Sequence, residues 1–131
     1  LARENVGETP FLGLIDIAIN RNAFGSQLDS FNCEALAPEV AREPIPLTFI
    51  RAPKIVQAGT GVRVLLQLDD YMAAVEDDRI LVTVFHPELT PSLAFHRYFA
   101  RKCGLKMAEA DDAALDPDWT PQSWTRFSYH V

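Results

Sequence analysis

His86 and Glu88 lie two positions apart at the end of an apolar, β-branched run of strand length, Ile80-Leu81-Val82-Thr83-Val84-Phe85. A buried strand ordinarily gives way to Gly, Asn or Asp. Here it delivers two ionisable groups separated by Pro87. In extended backbone, residues i and i+2 project to the same side, and proline biases the residue before it toward extended geometry. Glu88 is thereby placed to orient the His86 imidazole, which is the base-and-orienter half of a nucleophilic triad. A second reading of the same spacing is that His-Pro-Glu starts a helix, with Glu88 near its positive end. Spacing alone leaves both open.

Other residues carry chemistry of their own. Arg51 ends the β-prone run Leu47-Thr48-Phe49-Ile50-Arg51 before Ala52-Pro53. An arginine at a strand end can hold a carboxylate in a bidentate pair, or it can simply face solvent and contribute little. Arg21 sits in the polar, turn-forming cluster Asn20-Arg21-Asn22-Ala23-Phe24-Gly25, and such loops carry function disproportionately. Cys33 and Cys103 have neither CxxC nor metal-ligand spacing. The three histidines, at 86, 96 and 130, form no ligand cluster in the sequence; His96 reads as a packing residue of a helix.

The elements that must position these groups are legible in outline. Residues 1–10 read as a helix tail or loop broken by Gly7 and Pro10. Phe11 to Ile19 is a predicted strand, and Gln27 to Phe31 a short one. Ala37 to Pro46, with three prolines, reads as an irregular surface loop. Val62–Leu68, Tyr71–Val75 and Arg79–Phe85, divided by short acidic turns, predict an antiparallel meander. Thr90 and Pro91 supply an N-cap and an N1 residue for a helix over Ser92–Cys103, with Gly104 just past its end. Residues 105–131 carry Glu109, Asp111, Asp112, Asp116, Asp118 and both tryptophans. They are expected to form an acidic, tryptophan-containing tail whose acidic part is poorly ordered.

Composition excludes several classes. The chain has 131 residues, 48% hydrophobic and 23% charged, with formal net charge −6. That is ordinary for a globular domain. It opposes nucleic-acid binding, which calls for a basic stripe, and a polybasic membrane surface. No apolar run approaches the ~20 residues of a membrane span. The polar start Leu1-Ala2-Arg3-Glu4-Asn5 shows no signal-peptide pattern, and a cytoplasmic location with reduced thiols is expected.

Four blocks occur in order: Arg21-Asn22-Ala23-Phe24-Gly25, Asp29-Ser30-Phe31, Phe49-Ile50-Arg51-Ala52-Pro53 and Phe85-His86-Pro87-Glu88-Leu89-Thr90. Through them residues 1–103 resemble the pyridoxal phosphate synthase glutaminase family, a branch of the class I (triad-type) glutamine amidotransferases. The first and third blocks separate this branch from the glutaminase of histidine biosynthesis. The resemblance implies an α/β, flavodoxin-like sandwich with residues 1–104 as the C-terminal part of the amidotransferase domain. It implies hydrolysis of L-glutamine, with ammonia passed to a partner synthase subunit that makes pyridoxal phosphate, and no cofactor or metal. His86 would be the general base and Glu88 its orienter, with Arg21, Ile50 and Arg51 at glutamine-binding positions. The family's nucleophile lies in a Gly-Thr-Cys-Ala-Gly elbow that would precede Leu1, as would its glycine-rich oxyanion loop. The chain also starts with Leu rather than Met, so a fragment is expected, inactive and marginally stable alone. A non-catalytic, partner-binding remnant of the same fold is the other expectation.

Overall fold

The computed structural model describes residues 1–21, 30–106, 118 and 120. Among the described residues, eight strands, one 3-10 turn and one α-helix fall into two compact units, residues 1–30 with 49–85, and residues 31–48 with 86–131.

The first unit is built on a sheet containing β1 (Ala2–Asn5), β2 (Ile15–Asn20), β5 (Lys54–Ala58), β6 (Arg63–Leu68), β7 (Tyr71–Glu76) and β8 (Leu81–Thr83). Its order is β1-β2-β5-β7-β6, with β8 also on β7. Among the described residues, only its β1–β2 pair is parallel. The expected meander is β6-β7-β8, and the Val84 N–H bond to the Ala73 carbonyl (2.9 Å) carries the pairing one residue beyond β8. Its second turn is held by Asp77, whose Oδ1 accepts the amides of Arg79 and Ile80, both at 2.8 Å. This is the side-chain capping of a turn that short aspartates favour.

β7 is the best buried strand, because its neighbours flank both edges and it is covered on both faces. Tyr71, Ala73, Ala74, Val75 and even Glu76 are inaccessible. The Glu76 carboxylate is paired with the Arg63 guanidinium, which reaches out to solvent. The pairing meets the requirement that a buried charge have a partner. Phe49 is fully buried and packs edge-on against Phe85 (ring centroids 5.8 Å) and Tyr71 (6.4 Å). Lys54 lies over the Tyr71 ring at 4.7 Å and bonds the Asp70 carboxylate at 3.1 Å, fixing the β6–β7 turn against β5.

The second unit holds most of a two-stranded sheet, β3 (Ser30–Ala35) with β4 (Ile45–Ile50), and helix α1 (Ala94–Lys102). A turn between them is closed by the Val40 and Ala41 amides on the Ala37 carbonyl (2.8 and 3.0 Å). α1 ends as expected. Gly104 adopts φ +79, its amide bonds the Arg101 carbonyl (2.9 Å), and the Leu105 amide bonds the Ala100 carbonyl (3.0 Å). That double bond pattern around a left-handed glycine is a Schellman stop.

Several expectations are corrected. Residues 1–10 are not a helix tail, since Ala2–Asn5 forms β1. The second strand begins at Ile15, not Phe11, whose ring is 93% exposed. β5 follows Pro53 directly, where only a stop was read. Ile45 and Pro46 belong to β4 rather than to a loop. Thr90 does not cap α1. Its amide and Oγ1 both donate to the Pro87 carbonyl (3.3 and 3.1 Å), so it closes the preceding turn. α1 therefore starts two residues later than the expected Ser92, and the Ser92 Oγ accepts the Ala94 amide (3.2 Å). The predicted strand at 27–31 lies largely outside the described residues, as do the blocks at 22–25 and 29.

Removing the Phe49 ring should expose how much the aromatic cluster supports the first unit. Phe49→Ala is expected to cost about 3–5 kcal/mol in denaturant unfolding, and Phe49→Leu about half that or less. Equal costs for the two would show that the site collapses around either side chain.

Candidate functional site

The His86–Glu88 pair forms, by a route the spacing did not specify. Residues 87–89 make a 3-10 turn with Pro87 at its start. His86, just before it, sits at φ −103, ψ 89, which falls short of the extended geometry expected for a residue before proline. The turn folds Glu88 back, and its Oε1 lies 2.7 Å from His86 Nδ1. Both readings of the motif thus hold in part: a helical turn does begin there, and it is the turn that joins the two side chains.

The backbone of His86 is fixed independently of that bond. Its amide donates to the Thr48 carbonyl of β4 at 2.8 Å. Thr48 is 1% exposed, and its Oγ1 donates to Asn32 Oδ1 of β3 at 2.6 Å. A polar threonine on the β3–β4 sheet therefore anchors the histidine from behind. Sequence reading missed Thr48 and Asn32, because a threonine inside a β-prone run carries no signal of its partner.

With the Nδ1 proton donated to Glu88, the lone pair of Nε2 is left available, which is the tautomer a general base requires. Burial pushes the Glu88 carboxyl up. The hydrogen bond from His86, the local backbone amide and the charges of His86 and His96 outweigh it, and the net shift is downward. Side-chain exposures of 43% for His86 and 57% for Glu88 mean that solvent screens the pair. It orients the ring more than it stabilises the fold.

Arg51 and Ile50 lie at and just past the end of β4, both exposed. Arg51 is the one non-glycine residue with positive φ, +45, among the described residues. A left-handed backbone at a residue with a Cβ costs on the order of 1–2 kcal/mol, and such outliers concentrate at ligand sites. Arg21 follows β2, and its guanidinium pairs with Glu8 at 3.0 Å. That pair uses one of the five N–H donors an arginine carries.

The two cysteines sit in different surroundings. Burial, and then the neighbouring charge of Glu34, raise the Cys33 thiol above its ordinary value. Cys103 is exposed at the C-cap of α1. Among the described residues, no set of three or more acidic, histidine or cysteine side chains is grouped to hold a metal, and no helix is long and apolar enough to cross a membrane.

A histidine just before a short turn, its Nδ1 held by the glutamate two residues on, is the base-and-orienter pair that a triad-type amidotransferase uses. The chain belongs to the SNO glutamine amidotransferase family, whose model matches residues 1–105. It is 58% identical, over its full length, to 59% of the pyridoxal 5'-phosphate synthase subunit PdxT of Syntrophus aciditrophicus (strain SB). It is 47% identical over 104 residues to the subunit of that name in Pelotomaculum thermopropionicum, covering 79% of this chain and 53% of the relative. A solved structure described as a crystal structure of glutamine amidotransferase superposes with a TM-score of 0.72 at 39% identity, over 80% of this chain and 56% of the other. The fold is accordingly that of a flavodoxin-like, class I amidotransferase. The chain spans between half and three-fifths of the length of these relatives.

The electrostatics give a directional test. A carboxyl whose folded pKa is depressed contributes stability above its unfolded pKa of about 4.3 and loses it as pH falls through the lower folded value. Carbon-detected NMR titration should find Glu88 titrating below an ordinary glutamate. His86→Ala removes the hydrogen bond and a charge and leaves the desolvation, so the Glu88 midpoint should rise. An unchanged midpoint in that variant would show that His86 is not its partner in solution.

Proposed function

We propose that this chain provides the general base, its orienter and part of the substrate site of a glutaminase, which releases ammonia from L-glutamine for a synthase partner that makes pyridoxal 5'-phosphate. The observation that carries the reading is the 2.7 Å bond between His86 Nδ1 and Glu88 Oε1, in a chain whose relatives are pyridoxal 5'-phosphate synthase subunits. His86 Nε2 takes the proton of a cysteine thiol, and the thiolate attacks the glutamine amide carbon. The imidazolium then protonates the departing ammonia, and a water activated by the same ring releases glutamate. Glu88 holds the ring in the right tautomer and balances its positive charge while it is protonated.

The positions of Cys33 and Cys103 argue that the attacking thiol comes from outside these 131 residues. Arg21, Ile50 and Arg51 form the glutamine-binding contribution of this chain. The guanidinium of Arg51 suits the substrate α-carboxylate through a bidentate pair, and its left-handed backbone is consistent with a side chain held in place for a ligand. Residues 1–104 act as the amidotransferase portion, and residues 105–131 as an appendage to it. The protein works in the cytoplasm, where its thiol stays reduced.

In the full-length protein, His86→Ala should lower glutaminase kcat by at least about 10³-fold and Glu88→Gln by about 10²–10⁴-fold, with KM little changed. Full activity in His86→Ala would end the assignment. Arg51→Gly separates strain from charge. Relief of the backbone should leave the melting temperature equal or higher, while loss of the guanidinium should raise KM for glutamine by about tenfold or more. A lower melting temperature with unchanged KM would make Arg51 structural.

A further inference from the structure

A groove in the second unit is absorbed by none of this. It has a volume of about 830 Å³ and lies between the turn at residues 40–46 and the start of α1. That is the size class of a small-molecule site. Three arginines line it, Arg42 from the turn and Arg97 and Arg101 from the helix, against a single carboxylate, Glu43. Arg97 and Arg101 are four residues apart on one helical face and so project to the same side.

The placement runs against the charge of the chain, which is −6 overall. Elsewhere the carboxylates are used to satisfy arginines, Asp16 with Arg3, Glu8 with Arg21 and Glu76 with Arg63. Arg42 and Arg101 have no such partner among the described residues. The remaining wall is stiff and partly apolar. Pro44, Pro46 and Pro91 restrict its backbone, and Ile45 is buried beneath. The Ser92 hydroxyl stands at the same rim. A preformed concavity with guanidinium forks from two segments favours a compact, multiply charged oxyanion, because planar forks grip phosphate oxygens in pairs. An apolar floor beside them favours an anion carried on a small organic body.

We propose that this groove binds the phosphate group of a small phosphate monoester, with Arg42 and Arg101 as its ligands. The site is separate from the His86–Glu88 pair in its residues, so the proposal stands whether or not the glutaminase reading does.

The test is isothermal titration of the full-length protein with inorganic phosphate, glycerol 3-phosphate and glycerol. Glycerol 3-phosphate should bind measurably and glycerol should not. Phosphate binding equally well assigns the site to the free anion's chemistry, whereas weaker phosphate binding shows that the organic body is also held. Arg42→Ala and Arg101→Ala should each weaken binding by about tenfold, and the pair together by more. Arg79→Ala, an exposed arginine of the β7–β8 turn outside the groove, should leave binding unchanged. Circular dichroism melts of the variants establish that they are folded. No binding of either phosphate compound, or equal losses in all three variants, would overturn the proposal.

Discussion

A single backbone hydrogen bond, from the His86 amide to the Thr48 carbonyl at 2.8 Å, sets where the chemistry of this chain can occur. It cannot be removed by changing the histidine side chain, and its acceptor is itself immobilised. Thr48 is buried and its hydroxyl is spent on Asn32, so the carbonyl has little freedom to follow a moving partner. With the Cα of His86 fixed in this way, what remains to be determined is the direction of the ring. Glu88 supplies that through Nδ1. The division is economical in physical terms, because a weak, solvent-screened side-chain bond need only choose among a few rotamers. A loosely held backbone would leave the same bond to do far more, at an entropic cost it could not meet.

Pro87 joins these two levels. It disfavours helical geometry at His86, which sits at φ −103, ψ 89, and its fixed φ is compatible with the first position of the turn that follows. The glutamate is returned to the imidazole by three residues of 3-10 geometry, too short to carry stability of their own. Thr90 then ends the turn by donating twice to the Pro87 carbonyl, leaving α1 to start independently at Ala94.

How far the sequence could be read followed from the range of the interactions involved. The meander, the Asp77 turn and the glycine stop of α1 are local, and each depends on residues within a few positions of one another, so their signals survive in a single chain. β1 and β5 were not legible for the opposite reason. Ala-Arg-Glu-Asn is polar, and it is a strand only because β2, ten residues on, offers it a parallel edge. Lys54–Ala58 is short, follows a proline, and takes its identity from β2 and β7 on either side. Propensity is silent where pairing is supplied by distant segments. The site shows the same split: His86 and Glu88 were readable from two positions' spacing, whereas Thr48 and Asn32, a long way back in the chain, were not.

The two cysteines give the last constraint on how the site can work. A thiol serving as nucleophile must be stabilised as thiolate, and Cys33 is placed where the thiolate is disfavoured. Cys33 is partly desolvated beside Glu34, and Cys103 caps the negative end of α1. The imidazole, in contrast, is oriented with its Nε2 lone pair unspent. Under the proposed reading, this imidazole is one half of a catalytic device whose other half is a thiol. Its geometry is informative for that reason: the ring is aligned by groups of its own unit, Thr48, Pro87 and Glu88, so its readiness does not depend on the nucleophile being present. Under the proposed reading, the thiol has only to be brought to a base that is already in position, and the entropic cost of ordering the acid–base partner is met by folding rather than in the catalytic cycle.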